Sequence, residues 1–231
     1  MPAGWMIDAN DPARLEIAER AKKLHVDSSP DKASHELGTI TLSNGQKVNA
    51  WTVHSVDPVI ISADGQYVVT IKRRNDPGKG KPALPGGLID PKAGGPKGSV
   101  ETAIEAAVRE AGEEVHIDIS KAKATVIGAR NMDRPDDIRI ARGDGLFKAY
   151  GIKDGEAFMV SAQPVLFIVP GLSQEMINAG DDAEEGSAKL VKISDLKKED
   201  FGIPLHYDEI MQAVKAATVV SKPKVNKGPA R

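Results

Sequence analysis

Between Gly95 and Ile117 the chain reads GPKGSVETAIEAAVREAGEEVHI, and few folds accommodate such a stretch. Val100, Ile104, Ala107, Val108 and Ala111 recur at helical spacing, so an amphipathic helix is expected to open at Ser99. Glu110, Glu113 and Glu114 stand at i, i+3 and i+4, where side chains on a helix are neighbours. Three like charges in one turn repel, and no lysine follows Glu110 at i+4 to relieve them. A divalent cation would collect that charge. Hard oxygen donors suit Mg²⁺ or Mn²⁺, and Mg²⁺ is commonly held by a few carboxylates together with substrate phosphates. Arg109 lies eight residues after Glu101 on nearly the same side, placed to brace Glu101 or a ligand carboxylate from behind. The alternative for the same residues is a solvated acidic face.

The rest of the chain narrows the class. Its 231 residues allow one large domain or one domain with appendages. There is no cysteine, so disulfides, thiolate metal sites and a thiol nucleophile are excluded. A net charge of −2 argues against a strongly basic nucleic-acid binder, and no apolar run approaches the ~18 residues of a membrane helix. The opening MPAGWMIDANDPARLE has no apolar core and does not read as a secretory signal, so a cytoplasmic enzyme is the expectation.

Residues 9–25 read as a helix with Asp11 as cap and Pro12 in the first turn. Asn44-Gly45 between alternating runs signals a hairpin. Residues 1–50 are therefore expected as a helix-plus-hairpin extension, 51–217 as the main domain, and 218–231 as a basic flexible tail. In the main domain, VDPVIISADGQYVVTIKRR reads as strand, Asp64-Gly65 turn, strand; ALPGGLID, ATVIGAR and PVLFIVP are further strands; IPLHYDEIMQAVKAA is a closing helix packing Ile210, Met211 and Val214. Strands and helices mix without regular alternation, which favours α+β or a layered α/β/α sandwich.

The full spacing of the acidic helix is Gly95, Glu101, Arg109-Glu110, an apolar Ala111, then Glu113-Glu114. Six positions at about 7% each give on the order of 10⁻⁷ per start by chance. This is the Nudix box, and the sequence resembles the Nudix hydrolase family over roughly residues 50–217. The resemblance implies an α/β/α sandwich around a mixed sheet, with the box as loop–helix–loop and substrates that are nucleoside diphosphates linked to another group. It implies metal binding at Glu110, Glu113 and Glu114, catalytic roles for Glu110 and Glu114, and supporting roles for Gly95, Glu101 and Arg109. Gly86 and Gly87 match the glycines that approach the diphosphate. Two positions depart from the pattern: His116 stands where the family has a helix-ending glycine, and Gly112 lies inside the helix.

Three other segments bear on the substrate. KRRNDPGKGKPALPGG, residues 72–87, resembles ADP-ribose pyrophosphatases and the Nudix half of bifunctional nicotinamide-mononucleotide adenylyltransferases, with Lys81-Pro82 where relatives often carry Trp. MDRPDDIRIARGDG, residues 132–145, is too polar for an ordinary strand and is expected as a loop or edge; it resembles an Asp/Arg/Pro run of ADP-ribose-type Nudix enzymes, and Arg134 and Arg139, with Arg74 from the first segment, could grip phosphate or ribose, the alternative being a salt-bridged surface loop. NAGDDAEEGSAKLVKISDL, residues 178–196, resembles the AGDDA segment of mitochondrial-type ADP-ribose pyrophosphatases, which makes Asp182 the first candidate for the base, ahead of Asp181, Glu184 and Glu185. His206 is expected to be structural, and Trp5 and Trp51 to pack the extension. The resemblance implies hydrolysis of ADP-ribose to AMP and ribose 5-phosphate with Mg²⁺ or Mn²⁺, in a homodimer formed through the N-terminal hairpin. The alternatives are another Nudix substrate (NADH, a dinucleoside polyphosphate or an oxidised nucleoside triphosphate) or a non-catalytic ADP-ribose or nucleotide sensor.

Overall fold

The computed structural model describes residues 5–92, 99–132, 137–143, 148–180 and 186–220. Gly95, Arg134, Asp181, Asp182, Glu184, Glu185 and the tail from residue 221 lie outside the described residues. In chain order the elements are β1 (Trp5–Met6), α1 (Ala13–Lys22), β2 (Ser34–Thr41), β3 (Lys47–Ser62), β4 (Tyr67–Lys72), β5 (Pro82–Ala83), β6 (Gly87–Leu88), α2 (Ala103–Val115), β7 (Lys123–Val126), β8 (Ile138–Ile140), β9 (Ala157–Val169), β10 (Lys189–Lys192) and α3 (Pro204–Val220).

Two long strands make the spine. β3 and β9 run parallel and in register from Ala50↔Ala157 to Ser62↔Val169. Along its other edge β3 pairs in turn with β2, β6 and β4, all antiparallel. β9 pairs with β8 near its start and with β7 near its end. Pro58 and Pro164 lie inside these strands, where a missing N–H usually breaks a ladder. Each sits between the positions at which the outer partner changes, so the ladder needs no donor there. The sheet is mixed, and over the second half of the spine it is covered on both faces. Ala106, Ala107, Ala111 and Val115 of α2 pack with Val56, Ile60 and Phe167 on one side. Ile210 and Ala213 of α3 pack with Val59, Ile61 and Leu166 on the other. Alternation along β3 thus feeds two cores, which makes the architecture an α/β/α sandwich.

The hairpin at Asn44-Gly45 forms as expected, but the division between residues 50 and 51 falls inside β3, one strand of 16 residues. Ile17, Ala18 and Ala21 of α1 close over Ile40, Val48, Ala50 and Met159, so the first fifty residues cover the first half of the same sheet. Helix α1 is shorter than residues 9–25; the Asp11 carboxylate takes the Ala13 N–H and also the Ser43 N–H and hydroxyl, tying helix to hairpin.

Helix α2 opens at Ala103 rather than at Ser99. Thr102 caps it: its hydroxyl accepts the Glu105 N–H while the Glu105 carboxylate accepts the Thr102 N–H, and that reciprocal pair fixes the first turn. Val100 stays outside in a β-bridge with Pro91, and Ile104 is exposed. At the far end His116 adopts φ 53°, the left-handed conformation that glycine takes most readily, and its N–H returns to Ala111 O. Helix α3 buries His206, Glu209, Ile210 and Ala213, leaves Met211 and Val214 half-buried, and runs past Ala217 to Val220.

Candidate active site

The carboxylates of α2 meet the Leu84–Leu88 segment, and the backbone decides how closely. Gly86 N–H donates to Glu114 Oε2 at 2.7 Å. A Cβ on Gly86 would stand 2.5 Å from Val56 O and 2.7 Å from Asp57 Oδ1, and one on Gly87 would overlap the Glu110 carboxyl. At Gly86 the strand backbone leaves no room for a side chain, whereas at Gly87 a side chain would have to displace the Glu110 carboxyl. Glu110 and Glu114 are buried, while Glu113 is exposed on the same turn.

Arg109 organises the acids. Its Nε and Nη2 reach both oxygens of Glu101 at 2.9 and 2.8 Å, Nη2 donates to Leu88 O, and Nη1 reaches Glu110 Oε1 at 2.6 Å and Glu113 Oε2 at 3.0 Å. It therefore braces Glu101 and two expected ligand carboxylates together. Burial pushes the Glu110 carboxyl up to about 7 against the pull of Arg109, with Glu113 and Asp90 adding to the rise. Burial also disfavours charge on Glu101, but hydrogen bonds from Arg109 and from the Asp90 N–H outweigh it and hold that carboxyl below its ordinary value. Glu101 is thus a fixed anion supporting Arg109, whereas Glu110 is poised near neutrality.

These groups line a cleft of about 300 Å³. Its rim and walls carry Arg73 and Arg74 after β4, Gly86 and Gly87, Glu110, Glu113 and Glu114 of α2, Arg139 of β8, and apolar Ile71, Leu84, Leu88, Phe158 and Val160. That size and mixture suit a small polar ligand with an apolar part. Arg139 is not a lone cation: Asp137 Oδ1 accepts from its Nε at 2.7 Å and its Nη2 at 2.6 Å, and Asp137 also lines the cleft. The polar 132–145 segment nevertheless contributes a strand, Ile138–Ile140, which pairs with β1 on one side and β9 on the other and so is not an edge. Gly180 donates its N–H to Glu114 O, so the chain stands at the C-terminal end of α2 just before the acid-rich segment 181–185. Trp51 faces elsewhere and donates its indole N–H to Glu156.

Several residues that the sequence did not mark as site residues also line the cleft, His206 among them, which was expected to be structural. Asp57 of β3 and His206 of α3 are buried and line the cleft. Tyr150 donates its hydroxyl to Asp90 Oδ1 at 2.6 Å, and both face the cleft. Burial and that carboxylate push the Tyr150 phenol up, so it stays protonated and serves as a donor.

The donor set fits a divalent cation. Glu110, Glu113 and Glu114 offer only hard carboxylate oxygens, and Arg109 already bridges Glu110 and Glu113; among the described residues the acids and histidine whose ligand atoms lie within 4.8 Å of one another are instead Asp57, His206 and Glu209.

The Nudix domain model matches residues 52–212, and the chain belongs to the Nudix family. No curated protein sequence matches the chain. Among solved structures it is similar to a bifunctional NMN adenylyltransferase/ADP ribose pyrophosphatase from Francisella tularensis, at 22% identity over 71% of this chain and 41% of that one, with a TM-score of 0.45. It thus spans about two fifths of that protein. The NUDIX domain of Shewanella oneidensis NrtR, solved with ADP ribose, is 16% identical over 71% of this chain and 88% of that one, with a TM-score of 0.48. RenU, a Nudix hydrolase from M. smegmatis, is 17% identical over 82% of this chain and 99% of that one, with a TM-score of 0.42.

Proposed function

We propose that this protein hydrolyses ADP-ribose to AMP and ribose 5-phosphate. One observation carries the reading. The three segments whose sequence resembles ADP-ribose pyrophosphatases meet the Nudix carboxylates: Arg73 and Arg74 from the first and Arg139 from the second line the cleft, and Gly180 from the third is bonded to Glu114 O.

Glu110, Glu113 and Glu114 would hold Mg²⁺ or Mn²⁺. The bound cation supplies charge neutralisation on the diphosphate and a lowered pKa for water. Gly86 and Gly87 let the diphosphate approach the backbone, and Arg74 and Arg139 orient the phosphates or ribose, with Asp137 holding Arg139 in place. Water attacks one phosphorus, the bridging P–O bond breaks, and the water proton passes to a carboxylate. Asp182 is our candidate for that base. Phe158, Val160 and Leu88 offer the apolar wall against which a base or ribose would pack. No helix among the described residues is long and apolar enough to cross a membrane. The same reading takes the hairpin as a homodimer surface and the cytoplasm as the location.

The test is a substrate panel with product identification. ADP-ribose, NADH, a dinucleoside polyphosphate and an oxidised nucleoside triphosphate are each incubated with Mg²⁺, with and without EDTA. AMP from ADP-ribose at the highest kcat/KM supports the assignment. Pyrophosphate released from a triphosphate at a higher kcat/KM contradicts it, as does tight ADP-ribose binding without turnover.

A further inference from the structure

His206 sits in the first turn of α3 yet is only 2% exposed. Its Nδ1 accepts the Leu84 N–H at 3.1 Å. Two residues further on, the Gly86 N–H donates to Glu114 Oε2 at 2.7 Å. The Leu84–Gly86 backbone is therefore gripped by alternate N–H groups, one taken by α3 and one by α2. On its far side Gly86 is closed in by Val56 O and Asp57 Oδ1, so it has no room to slide.

The tautomer follows from these contacts. A ring nitrogen that accepts an N–H carries no proton, so in the neutral ring the proton is on Nε2. Nε2 faces Asp57 Oδ2 at 3.7 Å. Asp57, His206 and Glu209 are all buried, and one possible ligand atom from each lies within 4.8 Å of the others, which resembles a metal site. The tautomer speaks against that use. A protonated Nε2 cannot ligate, and moving its proton to Nδ1 would set it against the Leu84 N–H.

We propose that His206 is a positioning residue for Glu114. By holding Leu84 it keeps the Gly86 N–H on Glu114 Oε2 and so fixes the orientation in which that carboxylate would meet a cation. This rests on the reading of Glu114 as a metal ligand. Partners of this kind, one step removed from a ligand, change metal affinity by about 10–100-fold when lost.

The experiment measures Mn²⁺ affinity of the full chain by calorimetry, without substrate, for wild type, His206→Phe, His206→Asn, Glu114→Gln and Glu114→Gln/His206→Phe. Phenylalanine keeps the ring and loses the acceptor; asparagine places an oxygen where Nδ1 stands. The expected result is about tenfold weaker Mn²⁺ binding for His206→Phe, recovery in His206→Asn, and no further loss from His206→Phe once Glu114 is already changed. Equal affinity in wild type and His206→Phe overturns the proposal, and so does an additive loss in the double variant. If Glu114→Gln leaves Mn²⁺ affinity unchanged, the ligand reading itself fails, and the positioning role with it. Should His206→Phe not fold, ¹⁵N–¹H correlation on the wild-type ring decides: Nδ1 unprotonated and Nε2 protonated supports the proposal, and the reverse tautomer, or loss of the Nε2 proton on adding Mn²⁺, overturns it.

Discussion

Gly87 illustrates how finely the cleft is built, because a single methyl there would occupy the space of the Glu110 carboxyl. Gly87→Ala should therefore lower stability by about 1–3 kcal/mol through overpacking and weaken Mn²⁺ binding, which urea unfolding and a Mn²⁺ titration would read together. An unperturbed Mn²⁺ titration would mean that Glu110 has another resting place. At this scale the sequence was legible wherever chemistry repeats locally. Glu110, Glu113 and Glu114 share one helical turn with Arg109, so spacing alone brings them together; Glu101 lies ahead of the Thr102 cap, outside the helix, and meets Arg109 through the turn that leads into it. Asp57 and His206 are separated by most of the main domain, and only the packing of α3 against β3 joins them. No periodicity encodes such a meeting, and an imidazole near a helix start reads as structural until its partners are seen.

Among the elements, α2 has the clearest ends. The Thr102–Glu105 reciprocal cap sets its start, and Lys92 joins in; hydrogen bonds from Thr102 and Lys92 bring the Glu105 carboxyl down to about 2. Its end at His116 places a residue with a Cβ in the left-handed region, which costs an L-residue roughly 1–2 kcal/mol. His116→Gly should accordingly stabilise the protein by about 1 kcal/mol, measured by urea unfolding, while His116→Val should destabilise it; a neutral glycine variant would indicate that the imidazole contributes something offsetting. The strands were harder to read. The 13-residue β9 was legible only as PVLFIVP; its first half, Ala157–Ser161, is set between β8 and the N-terminal part of β3, partners that lie far off in sequence. Parallel pairing over a long loop leaves no local signature.

The whole molecule is one sheet that serves two purposes, and its midline holds a buried polar chain. His35 Nδ1 lies 2.8 Å from His54 Nε2, and His54 Nδ1 lies 2.8 Å from Ser161 Oγ. This chain sits where the N-terminal hairpin meets the β3–β9 spine. Burial, with the charges of Arg130 and His35, lowers His54 to about 2. The native state thus binds fewer protons at this residue than the unfolded chain does. The stability this contributes is complete above the unfolded value near 6.5 and is lost as pH falls from there towards 2. His54→Gln should flatten the fall in stability, by about 1 kcal/mol per pH unit between pH 7 and 5 and approaching about 1.4 kcal/mol per unit below that, read by urea unfolding at each pH. An unchanged slope would place the acid sensitivity elsewhere. Residues 1–50 read as an extension because a helix and a hairpin precede the main run of strands, but β3 runs through residue 50 and the hydrophobic cluster around α1 includes Ala157 and Met159 of β9. The account as a whole depends on the acidic turn of α2 acting as a catalytic metal site. The most direct measurement is the turnover of ADP-ribose by Glu114→Gln at saturating Mg²⁺, alongside its unfolding curve. The account predicts a folded protein with activity reduced by about 100-fold or more, the loss of roughly 3 kcal/mol in transition-state stabilisation; turnover equal to that of the unaltered chain would contradict it.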